Sequence, residues 1–313
     1  MSFSQGISLV NIAAIADDNY AQHLGTMLTS LLENMKEKCR MNTKVFIIDG
    51  GMSEKNIEKM NKVGEKYGID FDYKYIPDEQ YNGLSLRKEI NAAIYFKVSI
   101  PELIQEDKVL YLVSDAIVLD DVSELWETDI SDYYIAACAD FCEFAKKMYN
   151  IEKGEYFNAG FMLINNKKWR NNNIPTKIRN WLSKYHEYVV SHDQDAFNVA
   201  FHEKWLKLHP RWNIISPFFF GARAYARRLG FSEKDLNDIL ANPALIHFTT
   251  CRGLSRPWIY WSRHPYKNEY YKYLRKTPWK SFTPTDKSII TLLRFLRRRT
   301  IPPLIRKQLG RNN

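Results

Sequence analysis

An α/β fold with a mostly parallel central sheet and a C-terminal extension is what this 313-residue sequence predicts. Two observations carry that expectation. Apolar runs of strand length alternate with stretches whose apolar residues recur at helical spacing, the order of βα units that lay helices on both faces of a sheet. The apolar runs also end in polar residues, and in such sheets ligands bind beyond the carboxyl ends of the strands.

Residues 7–15 read as the first strand. Residues 18–35 read as a helix, with Leu24, Met27, Leu28, Leu31 and Leu32 on one face. Residues 44–48 are a second strand, followed by the turn Asp49-Gly50-Gly51 and a helix opening at Ser53, where Ser53 and Lys55-Asn56 resemble an N-terminal cap. Residues 71–76 read as a third strand and 87–103 as a helix bounded near Pro101. Residues 109–119 then read as one central strand, apolar except for Ser114 and Asp115. A buried, ionised and unpaired carboxylate is costly, so Asp115 calls for a metal ion, an Arg or backbone N–H groups and is a site candidate on that ground alone. Both Asp115 and the string Asp17-Asp18-Asn19-Tyr20 fall where strands end. Beyond about residue 255 the chain turns rich in Trp, Tyr and Pro. The expected division is a main domain over 1–255, an extension packed on it over 256–285, and a tail over 286–313.

Composition narrows the class. Hydrophobic residues make up 45% and aromatics 14%, enough for a sizeable core, which excludes global disorder. No run approaches 18 apolar residues, so no transmembrane helix is expected, and Met1-Ser2-Phe3-Ser4-Gln5-Gly6 lacks the features of a signal peptide. The four cysteines, Cys39, Cys138, Cys142 and Cys251, lack metal-site spacing and read as reduced thiols of a cytoplasmic protein. The charge is uneven. Residues 287–313 hold eight Lys and Arg and no acid, against a net +9 for the whole chain. Aliphatic residues such as Ile289, Leu292, Leu293 and Leu296 are interleaved with those cations. This is the pattern of a basic amphipathic segment lying on an anionic membrane surface, with a solvated face of a packed helix as the plain alternative. The aliphatic content argues against nucleic acid as the partner.

No P-loop, no Gly-x-Gly-x-x-Gly and no Gly-x-Ser-x-Gly elbow is present, which leaves phosphate cradling by a Gly-rich loop and serine hydrolysis without support. What recurs is polar residues at the ends of apolar runs: Asp17, Asn19, Asp115, Asp140, Asn158, Asp193, Gln194, Asp195 and His247. Each has a plain structural use, as a turn, a cap or a satisfied core histidine.

Their order resembles the retaining glycosyltransferases of family 8, which include glycogenin and bacterial lipopolysaccharide hexosyltransferases. The resemblance spans roughly residues 7–280. It rests on Ala16-Asp-Asp-Asn-Tyr20, Val109-Leu-Tyr-Leu112 with Asp115, Leu125-Trp126, Tyr156-Phe-Asn-Ala-Gly160 with Leu163-Ile-Asn165 and Trp169, His192-Asp-Gln-Asp195, and His247 to Arg256-Pro-Trp258. It implies the GT-A fold, a single Rossmann-like nucleotide-diphospho-sugar domain. It also implies a UDP-glucose or UDP-galactose donor, and a glycan or lipid-linked acceptor met at the inner face of the membrane. The implied nucleotide-sugar set is Ile15, Asp17, Asn19, Tyr20, Lys97, Asp115, Asn158, Ala159 and Arg256, with Tyr20 stacking on the base. The implied catalytic set is Gln194, Asp193 and Asp140, with Gln194 facing the reacting anomeric carbon. Asp115 and His247 would hold Mn²⁺ or Mg²⁺.

Two departures stand out. The family's Asp-x-Asp reads Val113-Ser114-Asp115 here, and valine cannot coordinate a metal. Ser114, on a continuous strand, should point to the opposite face. The stretch from His247 to Trp258 is about three residues longer than in relatives, with Arg256 in place of a lysine. Three readings follow: an active enzyme with a weaker metal site, a metal-independent transferase using Arg252 and Arg256 on the diphosphate, and a degenerate relative that binds nucleotide sugar without efficient transfer.

Overall fold

The computed structural model describes residues 9–77, 81, 92–185, 188–249, 255–288 and 290. Among the described residues ten strands appear in order: β1 (Val10–Ala16), β2 (Thr43–Asp49), β3 (Phe71–Tyr75), β4 (Lys108–Leu112), β5 (Ala116–Val118), β6 (Ile135–Ala139), β7 (Phe157–Asn165), β8 (Trp205–Lys207), β9 (Ile214–Ile215) and β10 (Leu245–His247). Seven of them form one sheet in the order β3-β2-β1-β4-β7-β6-β8, in which β7 alone runs against the others. β1 is buried at every position, as a strand covered on both faces must be. Alternate side chains serve two cores. Val10, Ile12 and Ala14 pack with helix Ala21–Asn34, whose Leu24, Met27, Leu28, Leu31 and Leu32 are all fully buried. Ala13 and Ile15 face a second core with Tyr95, Val98, Ile100 and the helices Ile174–Tyr185 and Asp193–Ala200.

Two expectations need correction, and a third holds with a different hydrogen bond. The run 109–119 is two strands, not one. The chain leaves the large sheet at Leu112, bends through Val113-Ser114-Asp115, and enters a separate three-stranded sheet, β5-β10-β9. Hydrophobicity alone could not reveal the break, because both strands are buried and equally apolar. Residues 92–99 form a 3-10 helix leading into a short α-turn at Ile100–Leu103, so Pro101 sits inside the first helical turn, where its missing N–H costs little; residues 82–91 lie outside the description. Ser53 stands at the N-cap of helix Glu54–Tyr67, yet its hydroxyl makes no capping bond. Asp18 Oδ1, from another loop, holds this helix start in place, accepting from the Ser53 amide and from Asn56 Nδ2, each at 2.7 Å.

The C-terminal residues Trp258, Tyr270, Tyr273 and Trp279 are buried in the same core as β1. Gly25 admits one of them: a Cβ there would lie 2.5 Å from Trp279 Cζ3. Among the described residues, no helix is long and apolar enough to cross a membrane. The basic tail lies outside the described residues except for 286–288 and 290.

Candidate functional site

Because β7 runs antiparallel to β4 and β6, its first residues reach the edge of the sheet where β1, β4 and β6 end. Asn158, Ala159 and Gly160 therefore stand beside Asp115 and Asp140, with Val113 N donating to Gly160 O and Asp140 N to Tyr156 O. His247 joins them through the small sheet, where it pairs with Ala116. It can lie against β7 only because residue 160 is glycine; a Cβ would meet His247 Cε1 at 2.4 Å.

A cleft of about 640 Å³ opens at this edge, lined by Ile15, Ala16, Asp17, Asn19, Tyr20, Ala93, Ile94, Lys97, Tyr111, Val113, Ser114, Asp115 and Arg256. That volume falls within the usual range for small-molecule sites. Seven predicted residues line it: Ile15, Asp17, Asn19, Tyr20, Lys97, Asp115 and Arg256. Ser114 lines it too, contrary to the expected opposite face, because the strand ends before it. The turn carrying Asp17 and Asn19 closes on itself, with Asp17 Oδ1 accepting from the Tyr20 amide at 3.0 Å.

The other six, Asp140, Asn158, Ala159, Asp193, Gln194 and His247, connect to the cleft through polar contacts. Lys97 Nζ lies 2.8 Å from Asp193 Oδ2 and donates to Ala159 O at 3.2 Å. Gln194 Oε1 accepts from the Ala159 amide at 3.0 Å, and its Nε2 reaches Asp140 Oδ2 at 3.3 Å. Asp140 Oδ2 also accepts from Asn158 Nδ2 at 2.9 Å, and Asn158 Oδ1 from Asn213 Nδ2 at 2.9 Å. Asn213 Oδ1 meets His247 Nδ1 at 3.2 Å, and His247 Nε2 lies 3.3 Å from Asp115 Oδ1. Arg256 completes the run, 3.7 Å from Asp115 Oδ2.

The electrostatics follow. Burial works against a charge on Lys97, but Asp193 and Tyr111 beside it outweigh that and hold the ammonium above its ordinary range. Burial would raise the Asp115 carboxyl, yet His247 and Arg256 keep it below the usual value. Burial pushes the Tyr20 phenol up to about 12 and the His23 imidazole down to about 3, so both are neutral near pH 7. His23 stacks on Trp258 with ring centroids 3.9 Å apart and shares a 2.6 Å hydrogen bond with Tyr270. Arg256 lies over both Tyr20 and Trp258, at 5.9 and 5.6 Å.

Asn213 and Tyr225 belong to this network and carried no signal in the sequence; Tyr225 donates to Asp140 Oδ1 at 2.6 Å. Asp195 is structural. It accepts from Tyr149, Tyr156 and the amides of Val190 and Ser191, pinning the loop that enters helix Asp193–Ala200. That entry forces His192 to φ 53°, an unfavourable conformation for a residue with a Cβ, held by its surroundings. For a divalent cation the residues present are one carboxylate short of the family motif. Among the described residues no three His, Cys, Asp or Glu side chains cluster, so Asp115 and His247 stand as two ligands, and the other positions of a hard cation would fall to water and phosphate oxygens. Arg252 and Cys251 lie outside the described residues.

Residues 11–262 match the sequence profile of Glycosyl transferase family 8. The chain belongs to this family. Family members similar to it include General stress protein A of Bacillus subtilis (strain 168), 35% identical over 280 residues that cover 87% of this chain and 96% of that protein. The lipopolysaccharide 1,2-glucosyltransferase of Escherichia coli (strain K12) is 25% identical over 293 residues, covering 90% and 82%. The crystal structure of the galactosyltransferase LgtC, solved with donor and acceptor sugar analogues, superimposes with a TM-score of 0.72 at 25% identity, covering 86% of this chain and 96% of that one. The family 8 chain thus has the expected GT-A fold, and the motifs Tyr156–Gly160 and His192–Asp195 that suggested it meet one another, Gln194 accepting from the Ala159 amide and Tyr156 donating to Asp195.

Proposed function

We propose that this family 8 chain is a retaining glycosyltransferase moving glucose or galactose from a UDP-sugar to a cell-surface glycan or lipid-linked acceptor. One observation carries the reading: a single cleft gathers a half-buried aromatic ring (Tyr20), two cations (Lys97 and Arg256) and a carboxylate (Asp115), backed by the amide and carboxylate network of Asp140, Asn158, Asp193 and Gln194. Tyr20, Asp17 and Asn19 suit a nucleoside, and the two cations suit a diphosphate. The lipopolysaccharide glucosyltransferase and the galactosyltransferase among its relatives use hexose chemistry of this kind.

In the reaction proposed, the bond from the anomeric carbon to the β-phosphate oxygen breaks, and the electron pair goes to the phosphate. Lys97 and Arg256 meet the charge that develops there. The acceptor hydroxyl attacks from the same face, forming the new C–O bond, and its proton passes to the departing phosphate oxygen. A glycosidase that retains configuration uses a carboxylate nucleophile; here the corresponding group is the amide Gln194, whose two ends are held by Ala159 and Asp140. It shields the cationic carbon without forming a bond to it. Asp193 and Asp140 orient the sugar hydroxyls.

Val113 favours a second reading, a relative that binds nucleotide sugar without efficient transfer. The deciding experiment incubates the protein with UDP-glucose and UDP-galactose and follows release of UDP and of the α-anomer by NMR. Gln194→Ala should lower turnover about a hundredfold or more while leaving UDP affinity nearly unchanged. Loss of UDP affinity in that variant overturns the assignment of Gln194, and donor binding without consumption supports the second reading. The proposed domain division gives residues 286–313 the task of holding the enzyme on the cytoplasmic leaflet near a lipid-linked acceptor. Deleting them should release the protein from anionic vesicles and spare UDP binding.

A further inference from the structure

The corner of the cleft nearest Val113 is built for a different counter-charge from the one its family motif implies. A carboxylate at 113 would stand close to Asp115 and demand a cation. With valine there, Asp115 faces Arg256, while Lys97 is already paired with Asp193 at 2.8 Å. Both oxygens of Asp115 already face protein groups, Oδ1 towards His247 at 3.3 Å and Oδ2 towards Arg256 at 3.7 Å. The second distance is longer than a strong charged hydrogen bond, so the guanidinium is tethered rather than consumed. It is also held in place. Its central carbon lies 5.9 Å from the ring centre of Tyr20 and 5.6 Å from that of Trp258, and Trp258 is itself backed by His23 and Tyr270. Arg256 Nε is buried with no hydrogen-bond partner among the described residues, while the side chain as a whole stays about a third exposed in the cleft it lines.

We infer that Arg256, gripped by Tyr20 and Trp258 and tethered by Asp115, supplies the positive charge for a nucleoside diphosphate in place of a divalent cation, so that this chain binds its nucleotide without metal. A planar guanidinium offers paired donors to phosphate oxygens and keeps its charge at any working pH. Asp115 then serves as an orienting group for Arg256 and His247. The inference rests on the nucleotide-sugar reading of the cleft and departs from it only in what neutralises the diphosphate.

The test is calorimetric titration of UDP into the full chain, in EDTA and in excess Mn²⁺, together with electron paramagnetic resonance of free Mn²⁺ to count ions taken up with and without UDP. The expected result is a UDP dissociation constant that agrees within about threefold between the two conditions, and no stoichiometric Mn²⁺ uptake. Arg256→Gln should weaken UDP by roughly tenfold or more in EDTA, with Arg256→Lys falling between, and an unchanged melting temperature excludes unfolding as the cause. Val113→Asp should create the missing dependence, with UDP held more tightly in Mn²⁺ than in EDTA. Wild-type UDP binding that collapses in EDTA, or one Mn²⁺ taken up per UDP bound, overturns the inference and leaves the transferase reading intact. No UDP binding under either condition removes the transferase reading and this inference together.

Discussion

The two ends of the polar run at the cleft differ in how tightly they are held. At the Lys97 end, a buried ammonium has a carboxylate at 2.8 Å, a carbonyl at 3.2 Å and the Tyr111 ring at 5.0 Å. At the Asp115 end, the contacts are 3.3 and 3.7 Å. The first corner is drawn together by short contacts within the fold, whereas the second is held more loosely. Pre-formed charge pairs fix geometry before substrate arrives; a loosely held cation is what an incoming anion can recruit.

The sharpest way to break this contrast is Lys97→Met. It strands Asp193 as an unpaired buried charge, so global stability in urea should fall by about 3–5 kcal/mol, and turnover should be lost with it. A cost no larger than that of disturbing the Asp115 corner would mean the two ends are alike. Gly160→Ala probes the join between them. The new Cβ cannot share space with His247, and pushing the imidazole aside should cost about 1–3 kcal/mol while moving its NMR resonances; an unshifted His247 signal would mean that the strand yields instead. The smallest effect is expected from Asp115→Asn. The folded protein holds Asp115 below its ordinary pKa, so the unfolded chain binds that proton more readily. The stability it contributes is complete above the unfolded value of about 3.9 and is lost as pH falls through the lower, folded value. Asp115→Asn should therefore flatten the acid limb of a stability–pH curve. An acid limb identical to the wild type would show that Asp115 is not held as described.

Much of this was legible in the chain. The alternation of β1, helix Ala21–Asn34, β2 and helix Glu54–Tyr67 follows from apolar spacing, since burial on two faces or on one stripe leaves a periodic trace. The positions of Asp17, Tyr20 and Asp115 at strand ends follow from the same pattern. The break after Leu112 left no such trace, because β4 and β5 are equally apolar and differ only in which sheet receives them.

By itself, then, the sequence determined the α/β class, the identity of the polar residues gathered at the sheet edge and the replacement of a metal-binding carboxylate by Val113. Tertiary structure alone decided which of those residues meet. The reversed direction of β7 brings Asn158 and Gly160 to Asp140 and His247. The move into a second sheet turns Ser114 towards the cleft, and packing of Trp258 and Tyr270 on His23 sets Arg256 over Tyr20. Asn213 and Tyr225 enter the site only through such contacts. The physical reason is that hydrophobic periodicity records burial, which each segment carries locally, whereas hydrogen-bond and charge partners are chosen by strand order and direction, which no single segment specifies.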